Sequence, residues 1–303
     1  MAITNLKTAL KEGFKCNDNG YFDSFLDNVY GKRMDQKFQD MFDKGSGNEL
    51  HSKADAIHSS SMLAYNFFHW IDGTSCFNYD GINYTNVFFE VRMKTLKNSN
   101  FPANMDVVLT DKEHKHLLFI ESKFTEYCET KKWDLSDSYK KENAFNNNIE
   151  WDEIIKEIRE EVINCKTCKY KDGIKQFITH LFGIANLCND KAIKWFNDHN
   201  EFSLSKLQNY SSVKFINLIF EPKEHDFKEE YESYKCYQSL FKKVQDMIKG
   251  KIIIGQNPLE IIWMSYSKLW NNKNIEGLNK IDEGELSKYL WQRYMQFAEG
   301  AER

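Results

Sequence analysis

Two apolar runs joined by six polar residues constrain this chain more than any other feature. The first run, Asn104-Met105-Asp106-Val107-Val108-Leu109, holds one carboxylate. The second contains Leu117-Leu118-Phe119-Ile120 and then turns charged at Glu121-Ser122-Lys123. Thr110-Asp111-Lys112-Glu113-His114-Lys115 between them reads as a polar turn, so the runs pair as antiparallel strands. Centring the turn between Glu113 and His114 puts Asp106 opposite Glu121, and opposed residues have Cβ atoms about 5 Å apart. Glu121 and Lys123 lie two apart on one strand and project to the same face. The three groups therefore converge without help from any distant segment. Residues 117–120 are apolar on both faces, which implies a central strand, and charges at the end of such a strand need a reason.

The surrounding pattern supplies a frame for this hairpin. Phe22, Phe25, Leu26, Val29 and Tyr30 fall at helical spacing. Gly45-Ser46-Gly47-Asn48 is a breaker. Residues 49–53 open a short helix, and Ser59-Ser60-Ser61 cap another through Met62, Leu63, Phe67 and Trp70. Residues 86–93, 103–109 and 116–124 read as three strands with short connections, an antiparallel meander. Beyond Tyr127 helices are expected around Ile154, Ile158 and Val162, and over residues 174–187. A strand follows at 213–220 and a long helix at 229–248. Short apolar runs at 252–254 and 259–263 suggest later strands, and residues 286–297 a closing helix. The order defines an α/β layer architecture. The chain is expected to be one domain over 1–303, with a core at about 49–220 and an α-rich extension over 221–303.

Composition narrows the setting. The chain has 303 residues, 3 prolines and 14 glycines, which argues against long linkers. No apolar stretch approaches the roughly 20 residues of a membrane helix, and residues 1–7 lack the apolar centre of a signal peptide. A cytoplasmic protein is expected. The formal net charge of −4 gives no overall attraction to nucleic acid and counts mildly against a simple coating role. It does not exclude an acidic metal site beside a local basic groove. Lys131, Lys132, Lys140 and Lys141, and then Lys166, Lys169, Lys171 and Lys175, are two lysine clusters that read equally as solvated faces. Cys165-Lys166-Thr167-Cys168 has zinc-ligand spacing but no second pair, so reduced thiols are the expectation. The three serines lack a nucleophile-elbow pattern, and capping explains them.

Two carboxylates and a lysine on neighbouring strands suit phosphodiester chemistry. Mg2+ or Mn2+ prefers oxygen ligands. An ion held by Asp106, Glu121 and the Ser122 carbonyl would polarise a phosphoryl oxygen and lower the pKa of a bound water. Lys123 would orient that water or offset charge growing on the phosphoryl oxygens. A buried lysine without the carboxylates, or the carboxylates without a cation, would be costly, so the groups make sense as a set.

Asp106 with the Glu121-x-Lys123 triplet, set in a helix, three-strand meander, helix and strand, resembles the PD-(D/E)XK nuclease superfamily with its restriction-endonuclease-like fold. His58-Ser59-Ser60-Ser61 with Asn66-Phe67-Phe68, and residues 120–126, look like a bacterial group described as restriction-endonuclease-like. The resemblance implies metal-dependent DNA hydrolysis of a restriction or defence type, with Asp106 and Glu121 as metal ligands and Lys123 as catalytic lysine. The superfamily's proline before the aspartate is Met105 here. A glutamate on its first core helix matches Glu49 by position, with Glu90 on the first strand as rival. A polar residue on the helix after the meander matches Gln176, which shares a helical face with His180. DNA is the implied partner, and cutting both strands of a palindrome would suggest a homodimer. The rival readings are a non-catalytic nucleic-acid-binding module on the same fold and an interaction protein with an incidental Glu-x-Lys, whose lysine would point to solvent.

Overall fold

Four antiparallel strands and two parallel ones form a mixed sheet with helices on both faces. The computed structural model of the chain describes residues 5–45, 49–272 and 284–303. Residues 46–48 of the expected breaker, and the first four residues of the chain, lie outside the described residues. The chain enters through α1 (Leu6–Lys11), α2 (Gln36–Lys44), α3 (Glu49–Ser52) and α4 (Ser60–Phe68). It continues through β1 (Asp72–Tyr79), β2 (Ile82–Met93), β3 (Ala103–Asp111) and β4 (His116–Lys123). Next come α5 (Trp151–Asn164), α6 (Asp172–Asn186), α7 (Asp190–His199), β5 (Ser212–Ile219) and α8 (Lys228–Ile248). A short ribbon of β6 (Ile253–Ile254) and β7 (Asn257–Pro258) precedes β8 (Glu260–Ser265), α9 (Tyr266–Asn271) and α10 (Glu285–Arg293).

The main sheet has the order β1-β2-β3-β4-β5-β8. β1 to β4 run antiparallel, and β5 and β8 join in parallel beyond β4. The meander thus has four strands rather than the expected three. The extra strand, β1, carries Asp72, Gly73, Thr74, Ser75 and Asn78, too polar and small to show a two-residue apolar alternation. Of the later apolar runs, 252–254 forms only the ribbon, while 259–263 becomes β8 of the main sheet. No helix among the described residues is long and apolar enough to cross a membrane.

The helix expected around residues 22–30 is not an α-helix. Two short 3-10 segments, Phe25–Asn28 and Tyr30–Lys32, stand there instead, separated by the extended Val29, and the second is kinked at Gly31 with φ +68°. The buried Asn28 amide donates to the carbonyls of Ala54 and Ala56, a tertiary bond that local spacing does not reveal. At α4 the serine run caps as expected, with Ser59 Oγ accepting from Met62 N at 3.3 Å.

The sheet separates two apolar clusters. Residues of α2, α4, α9 and α10 pack on its first face and residues of α5, α6 and α8 on its second. Along β2, Val87 and Phe89 belong to the first face but Val91 and Met93 to the second. Along β3, Val107 and Leu109 belong to the first and Met105 to the second. Strand pairing is continuous across this change, from Phe89↔Val107 to Val91↔Met105. The hinge is Glu90, whose φ of +50° turns the chain over. Such a conformation is strained for a residue with a Cβ and persists only where its surroundings enforce it.

Candidate active site

The β3–β4 register runs Val107↔Ile120, Val108↔Phe119, Leu109↔Leu118 and Thr110↔Leu117. The next step of this ladder sets Asp106 against Glu121. The turn is closed by Asp111, whose Oδ1 accepts from the backbone of Lys115 and His116 at 2.7 Å each. The same extrapolation on β2 and β3 sets Glu90 against Asp106. On the other side Glu121 pairs with Asn217 of β5. Glu90, Asp106, Glu121 and Asn217 therefore occupy one row across four strands, at the place where β2 turns over.

Strand alternation decides which atoms of residues 121–123 meet the site. Glu121 and Lys123 face α6, while the fully buried Ser122 side chain points to the opposite face. There its Oγ donates to Ser60 O at 3.1 Å and meets the Tyr266 hydroxyl at 2.7 Å. Only the Ser122 backbone is left toward β3, where its N–H donates to Asp106 Oδ2 at 2.6 Å.

Lys123 and Glu121 are each about 5% exposed and form an ion pair at 2.5 Å. The lysine thus does not point to solvent. Burial works against its charge, but Glu121, Tyr170, Glu126 and Asp106 outweigh that and hold its pKa well above the ordinary lysine value. The carboxylates sit the other way. Burial, and then Asp106 and Glu49, push Glu90 well above the usual carboxylate range. Burial, and then Glu121, do the same to Asp106. Burial raises Glu121 too, against the pull of Lys123, and its carboxyl is within hydrogen-bonding reach of Asp106.

The supporting residues also gather here. Glu49 of α3 accepts from Lys53 at 2.9 Å and from Ser61 at 3.4 Å. Glu90 accepts from the Asn104 amide at 3.2 Å. Gln176 of α6 accepts from the Tyr170 hydroxyl at 3.5 Å. The structure brings both Glu49 and Glu90 to the same cleft. Glu49, Glu90, Asp106, Glu121, Lys123 and Gln176 all line one cleft of about 500 Å3. His180, Lys53, Lys131, Asn104 and Tyr170 line it too. Asn104, Lys53 and Tyr170 carried no motif, although Asn104 stands two residues before Asp106. Two members of the lysine clusters are held in ion pairs: Lys175 pairs with Asp134 and Asp172, and Lys141 with Glu150. Lys131 pairs with Glu129 at the cleft. Cys165 and Cys168 are free thiols.

Among the described residues no three His, Cys, Asp or Glu side chains are grouped so that, as they stand, they could hold a metal ion. The donor chemistry nevertheless fits a hard divalent cation. Six carboxylates (Glu49, Glu90, Asp106, Glu121, Glu126 and Glu129) line the cleft against three lysines. One buried carboxylate oxygen, Glu121 Oε2, has no hydrogen-bond partner. Buried like charges with an orphaned oxygen need a further cation or a proton.

The fold is mixed α/β, and its cleft gathers buried carboxylates around one buried lysine. The chain belongs to the family described as Restriction Endonuclease associating with ARP, which it matches over residues 2–295. That membership indicates a nuclease or defence-type role, with DNA as the substrate the family implies. No curated protein and no solved structure matches the chain.

Proposed function

We propose that the protein hydrolyses DNA phosphodiester bonds with Mg2+ or Mn2+, as an endonuclease of the PD-(D/E)XK type. The observation that supports this most is the buried row Glu90–Asp106–Glu121 facing one buried, charged lysine. Asp106 and Glu121 would hold the ion, with the Ser122 backbone carbonyl as a further oxygen. An ion bound there supplies a Lewis acid and a water that ionises near neutral pH.

The protein groups perform the rest. Lys123 is kept cationic and aimed by its bond to Glu121, so its ammonium meets a phosphoryl oxygen without prior reorganisation. The Asp106–Ser122 N–H bond ties the β3 carboxylate to the strand carrying the other two groups. Glu90 fixes the row from β2 through Asn104. Glu49 restrains Lys53, and with Lys131 that lysine offers the cleft its cations for backbone phosphates. Gln176 steadies Tyr170 beside Lys123.

Plasmid and linear DNA incubated with Mg2+ or Mn2+ provide the test. The wild type is expected to cleave only with a divalent ion, and Glu121→Ala to lose about 10²-fold or more. Lys123→Met is expected to lose about as much while still binding Mn2+, since it removes a cation rather than a ligand. Equal residual activity in wild type and Glu121→Ala sinks the assignment.

A further inference from the structure

His180 of α6 raises a chemical question that the carboxylate–lysine set does not answer. Its ring is about 4% exposed. Its Nε2 lies 2.9 Å from the backbone carbonyl of Asn104. A carbonyl only accepts, so Nε2 carries the hydrogen and donates. With Nε2 as the donor of the neutral ring, Nδ1 is a bare lone pair.

That lone pair faces another. Nδ1 lies 3.4 Å from Glu121 Oε2. Neither atom has a hydrogen-bond partner, and both are buried. Two acceptors held face to face out of water repel unless a cation or a proton lies between them. Asp106 lies within hydrogen-bonding reach of the Glu121 carboxyl and close enough for its charge to act on His180. The Asn104 carbonyl that orients the ring belongs to β3, two residues from Asp106. This is the arrangement of a metal-binding histidine, in which one ring nitrogen donates to a carbonyl and the other is left for the ion.

We propose that His180 Nδ1 is a nitrogen ligand to the divalent ion, beside Asp106 and Glu121, and that it biases the site toward Mn2+ over Mg2+. The proposal rests on the metal-dependent reading above. Mn2+ prefers oxygen too, but as a transition metal it accepts an imidazole nitrogen beside carboxylates more readily than Mg2+, which keeps to oxygen and water. A site with one imidazole and two carboxylates therefore binds Mn2+ more tightly, and the difference belongs to His180.

The experiment uses Mn2+ itself as the probe, on the whole chain without DNA. Electron spin-echo envelope modulation of the bound Mn2+ is expected to show coupling to 14N in the wild type. Labelling the histidines with 15N should replace that coupling, with no substitution made. His180→Gln should remove it and weaken Mn2+ binding by roughly 10-fold or more, while Mg2+ binding changes by less than about threefold. His58→Gln, at the same cleft, should keep it. If Mn2+ binds and is lost in Glu121→Gln but shows no histidine coupling, the inference about His180 is overturned. The carboxylate reading then stands, with Glu121 and His180 sharing a proton instead. Coupling that persists in folded His180→Gln overturns it as well. If the wild type binds no Mn2+, both readings fall together.

Discussion

Glu90 carries the most tension of any side chain at this site. It is buried, it sits at φ +50°, and it faces Asp106 and Glu49 with no lysine bonded to it. Its folded-state pKa is raised, so the proton it holds is a stabilising one. Near pH 4 the group is largely protonated both folded and unfolded, and it costs little. As the pH climbs, the unfolded chain ionises first, and the stability due to the protonated form drains away through the folded pKa. Glu90→Gln removes this dependence while keeping an oxygen for the Asn104 amide. The metal-free variant is expected to match the wild type at pH 4–5. At pH 8 it should be about 1 kcal/mol more stable, roughly 2–4 °C in Tm. Thermal unfolding at the two pH values, in the presence of a chelator, reads this directly. A Tm gain of the same size at both would show that Glu90 is not the repelled group described here.

Elements bring the site together through close approach. α6 delivers Gln176 and His180, and one turn beyond His180 it carries Gly183. A Cβ added at Gly183 would stand 2.8 Å from Met93 Cβ on β2 and 3.2 Å from Met93 Cε. The nearest obstacle is the first atom of a buried side chain, so it cannot swing aside. Gly183→Ala is expected to cost about 1–3 kcal/mol by overpacking and to lift α6 off the sheet. Isothermal titration should then show weakened Mn2+ binding along with a lowered Tm, because His180 rides on the same helix. A lowered Tm with unchanged Mn2+ affinity would uncouple the helix from the site.

The same scale explains what the sequence could and could not disclose. The β3–β4 hairpin was legible because its turn is short and its apolar runs unambiguous, so simple counting brings Asp106 to Glu121. β1 was concealed by its polar composition. A signal did exist in Asp80-Gly81, two residues at φ +52° and +76° that join Tyr79 to Ile82. That is the residue pair and geometry of a type I′ hairpin. The turnover at Glu90 was hidden more deeply. Val87, Phe89, Val91 and Met93 alternate as one face should, and nothing in that alternation reports a left-handed residue between the second and third. Without the turnover, Glu90 reads as an ordinary strand carboxylate, and its choice against Glu49 stays open. His180 was visible only as a helix neighbour of Gln176. Its partners, Asn104 and Glu121, lie 76 and 59 positions away, a distance no local pattern spans.

At the scale of the whole molecule, the segment after residue 221 is built into the frame. β8 is the sixth strand, Tyr266 of α9 bonds Ser122, and the Tyr294 hydroxyl accepts from the Asn66 amide of α4 at 3.0 Å. Strain at the cleft is thus felt by the sheet and both helical layers, and a ligand that relieves it should stabilise the fold as a unit. Any ligand bound only by the folded state adds RT ln(1 + [L]/Kd), about 2.7 kcal/mol at a hundredfold excess over Kd. The cation must displace protons from Asp106 and Glu121, whose folded pKa values are raised, so its affinity grows with pH. His180 adds no such competition above its pKa of about 4. Mn2+ is therefore expected to raise Tm by several degrees at pH 8 and by distinctly less at pH 5, and Glu121→Gln should abolish the rise at both. Differential scanning calorimetry with and without Mn2+ measures the shift. A rise independent of pH, or one that survives Glu121→Gln, would mean that the ion acts somewhere other than this row of carboxylates.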